Sequence, residues 1–384
     1  MRKVFLLILF INSTTLAFSQ KSLWEDYEII NNMPLFYKEA RNALTYPMAW
    51  GNSDITDFNE WRTEARNILL ESVQNAPPMT KGYDFKIKDS EKREGYEVNK
   101  IELNISDWSR IPGYLLIPDG KGEFPAIVML HDHGGRFTIG KEKVVKPFGV
   151  TDTILNTSIR WAEQCYDGIH LADFFASKGY VVLVIDALFW GERGRKEGVD
   201  YNGQQALASN LMQLGMSFSG VITWDDIRSV EFLASHPKVN PEKIGTVGFS
   251  MGSHRAWTLA AASDQIAASA SICWMNVTDS LMTHTNNQNK GGSAFAMLVP
   301  NLRRYMDYPH VASIACPKPA LFFNGASDKL FPVAGVIKAY DIMHEVWIDQ
   351  NAEDKLITKI WDEKHFYNKE MIDETLQFFD KWLK

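Results

Sequence analysis

The sequence has 384 residues, of which 45% are hydrophobic and 23% are charged, a composition typical of a folded globular protein. A chain of this length can bury the core of one large domain, or of one domain with an appendage. A formal net charge of −7, without a basic cluster, argues against nucleic acid or an anionic membrane surface as a partner.

The first 19 residues have the pattern of a cleavable export signal. Arg2 and Lys3 precede the apolar run Val4 to Ile11, and Ala17-Phe18-Ser19 resembles a cleavage site. The apolar run is too short to span a bilayer, and no later run reaches the ~20 apolar residues that spanning requires. We therefore expect a secreted or periplasmic protein without a membrane anchor.

Residues 20–80 predict an N-terminal helical arm. Asp57 and Glu60 have the spacing of a capping box, and Ala76-Pro77-Pro78 ends the helix that follows it. Apolar residues recur between these points at helical spacing, namely Phe58, Trp61, Ala65, Ile68, Leu69 and Val73. A lone amphipathic helix has to bury this stripe, so we expect the arm to pack on the main domain, residues 81–384.

After Tyr83 the pattern becomes that of strands. Alternating Ile101, Leu103 and Ile105 predict an antiparallel start to a sheet. Nearly uninterrupted apolar runs follow, typical of strands buried on both faces: Ala126 to Leu130, Tyr180 to Ile185, Ile244 to Val247, Ala267 to Cys273 and Ala320 to Phe323. Helical segments separate many of these runs, and a last helix, Lys369 to Trp382, follows them. This order predicts an α/β fold with a mostly parallel central sheet flanked by helices.

Two connections, residues 134–164 and 276–315, are too long to be simple turns. Long connections in a compact domain usually have a function or are disordered. We interpret both as walls of a pocket, and the second, with its polar stretch Asn286 to Gly292, as a small lid insertion.

The sequence Gly248-Phe249-Ser250-Met251-Gly252 lies between an apolar strand and a helical segment. This is the pattern of the nucleophile elbow of α/β-hydrolases. A serine in such a sharp turn has a strained backbone, and glycines on either side avoid a collision across the turn. The hydroxyl of Ser250 would stand clear of the sheet, and the amide of Met251 could donate to an oxyanion.

A serine nucleophile needs a base and an acid that orients the base. In α/β-hydrolases the acid and then the histidine follow the serine along the chain. Asp328 lies in the turn after the strand Ala320 to Phe323, and His365 lies in the loop before the last helix. The only other histidine after Asp328, His344, falls inside a predicted helix. We therefore predict the catalytic triad Ser250, Asp328 and His365.

His131-Asp132-His133-Gly134-Gly135 follows the strand that ends at Leu130, where a second oxyanion donor is expected. We assign the amide of His133, with Asp132 or Gly134 as the one-residue alternatives. A zinc site is the rival interpretation, since His-x-His and an aspartate can bind zinc. No further ligand cluster is visible and a triad needs no metal, so neither a metal nor a cofactor is expected.

Two further segments bear on substrate binding and redox state. The segment Asp186 to Gly194 follows a strand, and Trp190 in it is either a pocket residue or part of a structural loop. Arg303 belongs to a basic pair that could meet a uronate carboxylate or simply be solvated. The three cysteines are Cys165, Cys273 and Cys316, so in an exported protein at least one is free, and a disulfide between any two stays open.

Together the Ser250 elbow, the His131 loop, the Asp186 segment, Asp328 and His365 resemble secreted bacterial acetyl xylan esterase-like, dienelactone hydrolase-related α/β-hydrolases. The resemblance implies that ester groups, acetyl groups first, are cleaved from carbohydrate or polysaccharide fragments. Dienelactone hydrolases themselves use a cysteine where this chain has Ser250.

Two alternatives to an esterase remain, a different enzyme and a protein without catalytic activity. A prolyl oligopeptidase-like serine peptidase shares the triad, but the arm is too short for the propeller that usually precedes such a domain. A non-catalytic carbohydrate-binding homologue would not need the complete triad. The oligomeric state is not predicted.

Overall fold

The computed structural model describes residues 35–74, 76–195, 197–282 and 297–384. The predicted export signal and part of the predicted lid lie outside these residues. The chain forms two compact units, Met1–Ala43 and Leu44–Lys384. In the first unit, helix α1 spans Leu35–Asn42. Within the described ranges, no helix is long and apolar enough to cross a membrane.

The second unit is built on a sheet that has nine strands in the described part of the chain, in the order β1-β2-β3-β5-β4-β6-β7-β8-β9. Strands β1 to β3 are antiparallel, β3 is antiparallel to β5, and the strands from β5 to β9 across the sheet are parallel. The strands are β1 Lys86–Arg93, β2 Tyr96–Ser106, β3 Ser109–Pro118, β4 Phe124–Leu130, β5 Val181–Ile185, β6 Val239–Phe249, β7 Ala268–Ile272, β8 Ala320–Gly325 and β9 Leu356–Trp361.

Helices flank the sheet, as the sequence predicted. They are α2 Phe58–Ser72, α3 Asp152–Cys165, α4 Leu171–Ser177, α5 Tyr201–Gln213, α6 Phe218–Ser235, α7 Met251–Ala262, α8 Thr278–Leu281, α9 Tyr308–Ser313, α10 Val333–Asp349 and α11 Lys369–Leu383. The core shows that both faces of the sheet are covered. Along β4, Val128 packs in one apolar cluster, whereas its neighbours Ile127 and Met129 pack in another. Successive side chains of a strand point to opposite faces, so the two clusters lie on opposite sides of the sheet.

The predicted helix after Asp57 is present as α2. The Asp57 carboxylate accepts a hydrogen bond from the amide of Glu60 at 2.8 Å, which caps the helix. Arg66 then joins α2 to the end of α7, because its guanidinium binds the carbonyl of Ala261 and the carboxylate of Asp264. The division into an arm of residues 20–80 and a separate catalytic domain stays a prediction.

Helices α3 and α5 were not predicted. In α3 the apolar stripe is interrupted by Ser158, which is fully buried and donates to the carbonyl of Glu142. The other buried residues of α3, Trp161, Ala162 and Cys165, keep helical spacing, and Thr151 caps the helix, so the sequence did carry a signal for it. Residues 134–164 are therefore a packed segment with a helix of its own. In the predicted lid, α8 and α9 are described, and residues 283–296 lie outside the description.

Candidate active site

Ser250 occupies the turn between β6 and α7, with φ 56° and ψ −122°. A non-glycine residue in this region of backbone space is strained and has to be held by its surroundings. The turn is tight because a Cβ on Gly248 would lie 2.1 Å from the carbonyl of Gly252, and one on Gly252 would lie 1.9 Å from the carbonyl oxygen of Leu130. The two glycines thus permit the turn and bring it against the end of β4.

The three residues predicted as a triad lie within hydrogen-bond distance of one another. Nε2 of His365 is 2.9 Å from Oγ of Ser250, and Nδ1 of His365 is 2.6 Å from Oδ2 of Asp328. A carboxylate can only accept, so Nδ1 carries the proton and Nε2 is left to accept from the serine hydroxyl. The arrangement can therefore remove a proton from Ser250.

The loops that carry the acid and the base are joined to each other. The amide of Ala326, after β8, donates to the carbonyl of Trp361 at the end of β9, and the amide of Ser327 donates to the carbonyl of Glu363. Because Asp328 and His365 lie just beyond these bonds, the spacing of their side chains is fixed by the backbone. The sequence placed both residues after strands but gave no sign of this connection.

The His365 ring contacts two aromatic side chains. Phe249 is 4.7 Å away between ring centroids, and Phe331 is stacked at 5.9 Å. The Asp328 side chain is fully buried, and that of His365 is 22% exposed. His365 is thus only partly exposed to solvent, and the carboxylate that it contacts is shielded from water.

All three cysteines are free and buried, so the disulfide left open by the sequence does not form. The thiol of Cys273 lies within 4.8 Å of ligand atoms of Asp328 and His365, a grouping that could hold a metal ion. Asp328 and His365 already make the hydrogen bonds of the candidate triad. Burial raises the pKa of the Cys273 thiol, which disfavours the thiolate that a metal needs.

The loop after β4 is ordered by its own histidines. His131 Nδ1 is 2.8 Å from the carbonyl of Asp132, and its Nε2 accepts from the amide of Ala187. His133 Nε2 is 2.6 Å from the amide oxygen of Gln204, and its Nδ1 accepts from Gly135. Burial lowers the pKa of His131 and lowers that of His133 to about 4. All four ring nitrogens are engaged, so the geometry does not favour the zinc alternative.

Two backbone carbonyls of this loop accept hydrogen bonds from buried side chains. Nζ of Lys143 is 2.9 Å from the carbonyl oxygen of Asp132 and 2.6 Å from that of His133. The indole of Trp190 donates to the same His133 carbonyl at 3.0 Å. Gly134 has φ 54°, and a Cβ there would lie 2.1 Å from the ring of Trp161, so glycine is required.

Trp190 does not occupy the position that a pocket residue would need. Its side chain is fully buried, so in this structure it supports the loop after β4 and does not face a pocket. The segment around it is fixed by Asp186, which accepts from the backbone and the ammonium of Lys141 and from the amide of Glu192. The structural alternative stated for this loop is therefore the one that the geometry favours.

Arg303 lies in a short 3₁₀ turn after the undescribed part of the predicted lid. Its guanidinium is 3.5 Å from the carboxylate of Asp279 and 3.7 Å from that of Asp307, and it also donates to the hydroxyl of Tyr46. The two carboxylates already balance its charge. The structure thus brings together Ser250, Met251, Asp328 and His365, while Arg303 contacts Asp279, Asp307 and Tyr46.

The amide of Met251 is the first of α7, so it has no acceptor within the helix. It belongs to the residue next to the candidate nucleophile. Sequence reasoning found this donor but missed Lys143 and Phe331, which touch the site from other elements. Charged residues are rarely fully buried, so nothing in the segment Lys141-Glu142-Lys143 marked it as internal.

The comparisons with known proteins agree with this fold. YtaP of Bacillus subtilis (strain 168), a protein named as a hydrolase, is 27% identical over 294 residues, which is 76% of this chain and 90% of YtaP. A Bacteroides fragilis structure described as an acetyl xylan esterase superposes with a TM-score of 0.68 at 17% identity, covering 85% of this chain and 81% of that one. A glucuronoyl esterase from Solibacter usitatus gives a TM-score of 0.60 at 12% identity, covering 87% and 96%.

The Abhydrolase family model, Abhydrolase_7, matches residues 23–377, which is most of the chain. Together with the mixed sheet and the turn at Ser250, this match confirms the resemblance to esterase-like α/β-hydrolases that the sequence motifs predicted. The chain therefore belongs to the Abhydrolase family and is a hydrolase with the α/β-hydrolase fold.

Proposed function

We propose that this protein is a serine esterase that removes acyl groups, acetyl groups first, from carbohydrate or polysaccharide fragments. The observation that carries the proposal is the continuous chain of hydrogen bonds from Asp328 through His365 to Ser250. The likeness in fold to the Bacteroides fragilis and Solibacter usitatus esterases supports carbohydrate esters as the substrate class.

The proposed reaction proceeds through an acyl-enzyme. Oγ of Ser250 attacks the ester carbonyl carbon while its proton passes to Nε2 of His365. The carbonyl oxygen becomes an oxyanion, stabilised by the amides of Met251 and His133. As the tetrahedral intermediate collapses, the sugar alkoxide leaves with the proton from His365. Water then attacks the acyl-enzyme with the same base, and the free acid and Ser250 are released.

Asp328 orients the ring and stabilises the imidazolium that forms after the first proton transfer. Its Oδ1 accepts from the amide of Leu330 at 2.8 Å, which leaves Oδ2 directed at Nδ1 of His365. No step of this scheme requires a metal or a cofactor. Residues 1–19 are proposed to direct export, and N-terminal sequencing of the exported chain tests this, with Gln20 expected as the first residue.

A panel of substrates tests the proposal. The purified protein is assayed on p-nitrophenyl acetate, acetylated xylo-oligosaccharides, methyl and glucuronoyl esters of uronic acids, and aminoacyl and prolyl p-nitroanilides. Acetate release from the oligosaccharides is expected, with none from Ser250→Ala. Higher turnover of the anilides than of every ester would overturn the esterase in favour of the peptidase. Glycan binding without turnover of any substrate would favour a non-catalytic protein.

A further inference from the structure

The loop after β4, His131 to Gly135, is hydrogen-bonded to a buried cation that the reaction scheme does not use. Lys143, in the 3₁₀ turn Lys141–Lys143, is 0% exposed, and its Nζ donates to the carbonyl oxygens of two consecutive residues, Asp132 and His133. A fully buried lysine is rare and costly unless it is paired. Its two shortest contacts are backbone carbonyls of the loop that follows β4.

The geometry of the peptide group gives these contacts a consequence. The carbonyl of Asp132 and the amide of His133 belong to one planar trans peptide, in which C=O and N–H point in opposite directions. A donor that fixes the carbonyl therefore also fixes the direction of the N–H. The same holds for the carbonyl of His133 and the amide of Gly134. Both amides point away from Nζ of Lys143.

A cation on the carbonyl oxygen also changes the amide as a donor. A charged hydrogen bond withdraws electron density from the peptide, and hydrogen bonds in sequence strengthen one another at low dielectric. The N–H at the other end becomes a better donor to a negative charge. We propose that Lys143 is a positioning residue that polarises the peptides Asp132–His133 and His133–Gly134, so that their amides stabilise the oxyanion of the reaction. This inference rests on the proposed esterase function.

The surroundings are arranged to keep this charge in place. The Asp132 carboxylate is 3.7 Å from Nζ of Lys143, and the ring centroids of Trp161 and Trp190 lie 5.3 and 5.6 Å from the same Nζ. Burial lowers the pKa of Lys143, and the Asp132 carboxylate opposes this by favouring the ammonium. The Asp132 carboxylate accepts in turn from Trp161 and Tyr166, so the pair is held from both sides.

The test removes the charge and keeps the size of the side chain. For Lys143→Met we expect kcat on an acetyl ester to fall about 10-fold to 100-fold, less than the ~10²–10³ that loss of a whole oxyanion donor costs. The inhibition constant of a trifluoromethyl ketone, which forms a tetrahedral oxyanion adduct with serine, should rise by the same factor. Binding of uncleaved ester, measured with Ser250→Ala and with Ser250→Ala/Lys143→Met, should be equal. A collapsed loop would instead lower kcat and weaken the binding of both the inhibitor and the uncleaved ester.

A matched control is available elsewhere in the chain. Lys318 is also largely buried, and its Nζ donates to the carbonyls of Ala260 and Ser263, at the end of α7 far from Ser250. Lys318→Met should leave kcat and the inhibition constant unchanged.

A second variant keeps the test decisive if Lys143→Met does not fold. Asp132→Asn/Lys143→Met leaves no unpaired buried charge, and the asparagine oxygen can still accept from Trp161 and Tyr166. The double variant should show the same loss of kcat. Wild-type kcat in either folded variant would refute the role of Lys143, whereas a wild-type protein inactive on every ester would refute the proposed esterase itself.

Discussion

Asp328→Asn tests the candidate triad most directly, because the contacts of Asp328 determine how the new amide has to sit. Oδ1 of Asp328 accepts from the amide of Leu330 at 2.8 Å, and Oδ2 lies 2.6 Å from Nδ1 of His365. An asparagine will keep its oxygen on the Leu330 amide, because the opposite orientation would place two donors against each other. Its NH₂ group then faces Nδ1 of His365.

A donor at that position inverts the tautomer of the histidine. Nδ1 has to accept, so Nε2 carries the proton and can no longer take one from Ser250. An equivalent change in a serine protease triad costs about 10⁴ in kcat. At ~1.36 kcal/mol per decade this corresponds to about 5 kcal/mol of transition-state stabilisation. The Asp328 side chain is fully buried, so water cannot restore the original tautomer through a substitute contact.

The assay is hydrolysis of p-nitrophenyl acetate under saturating substrate, with urea unfolding measured on the same preparation. We expect kcat to fall by about 10⁴ and the ester KM to change little. Asp362→Asn, an exposed carboxylate in the same loop as His365, is the control and should retain full activity. A folded Asp328→Asn enzyme within tenfold of wild type would show that another group orients His365.

Three further outcomes follow from the same geometry. Ser250→Ala and His365→Ala should each lower kcat by ~10⁴ or more, and the double variant should be no worse than either single one; additive losses would mean that the two do not act together. Gly252→Ala should abolish activity and lower the unfolding free energy, because its Cβ would lie 1.9 Å from the carbonyl oxygen of Leu130; wild-type urea unfolding and activity would contradict this packing. Burial lowers the pKa of His133 to about 4 from 6.5. The contribution of neutral His133 to the unfolding free energy should therefore be fully present above about pH 6.5 and should be lost as the pH falls towards 4. At pH 5 the loss from this residue is about 2 kcal/mol, and His133→Gln should reduce the difference in unfolding free energy between pH 7 and pH 5; an unchanged difference would contradict it.

The candidate triad could be proposed from the sequence because each of its residues is marked by its position along the chain. Ser250 lies in a five-residue pattern, and Asp328 and His365 follow strands in the order that the fold requires. Short apolar runs marked β4 to β8 for the same reason, since strands buried on both faces carry a continuous signal.

Contacts between distant segments could not be predicted in this way. Lys143 contacts Asp132 and His133 only because the turn before α3 packs against the loop after β4. Nothing in the sequence around a single lysine in a chain of 384 residues indicates that it is buried. Trp190 was considered as a substrate contact because its segment follows a strand, and Arg303 because a basic pair in the predicted lid could meet a uronate carboxylate. Their side chains instead bind a carbonyl and two carboxylates of the protein itself.

The order of the candidate triad along the chain has a consequence for synthesis on the ribosome. Ser250 follows β6 and Asp328 follows β8, but His365 is reached only after β9, which lies at the edge of the sheet. The amide of Tyr367, two residues further, is bonded to the carbonyl of Cys165, so this loop is tied back to the end of α3. A nascent chain that has made β1 to β8 thus holds a nucleophile without a base. Hydrolytic activity should therefore appear only after His365 has been made and β9 has paired with β8, and a translation arrest before residue 365 should leave a chain without hydrolytic activity.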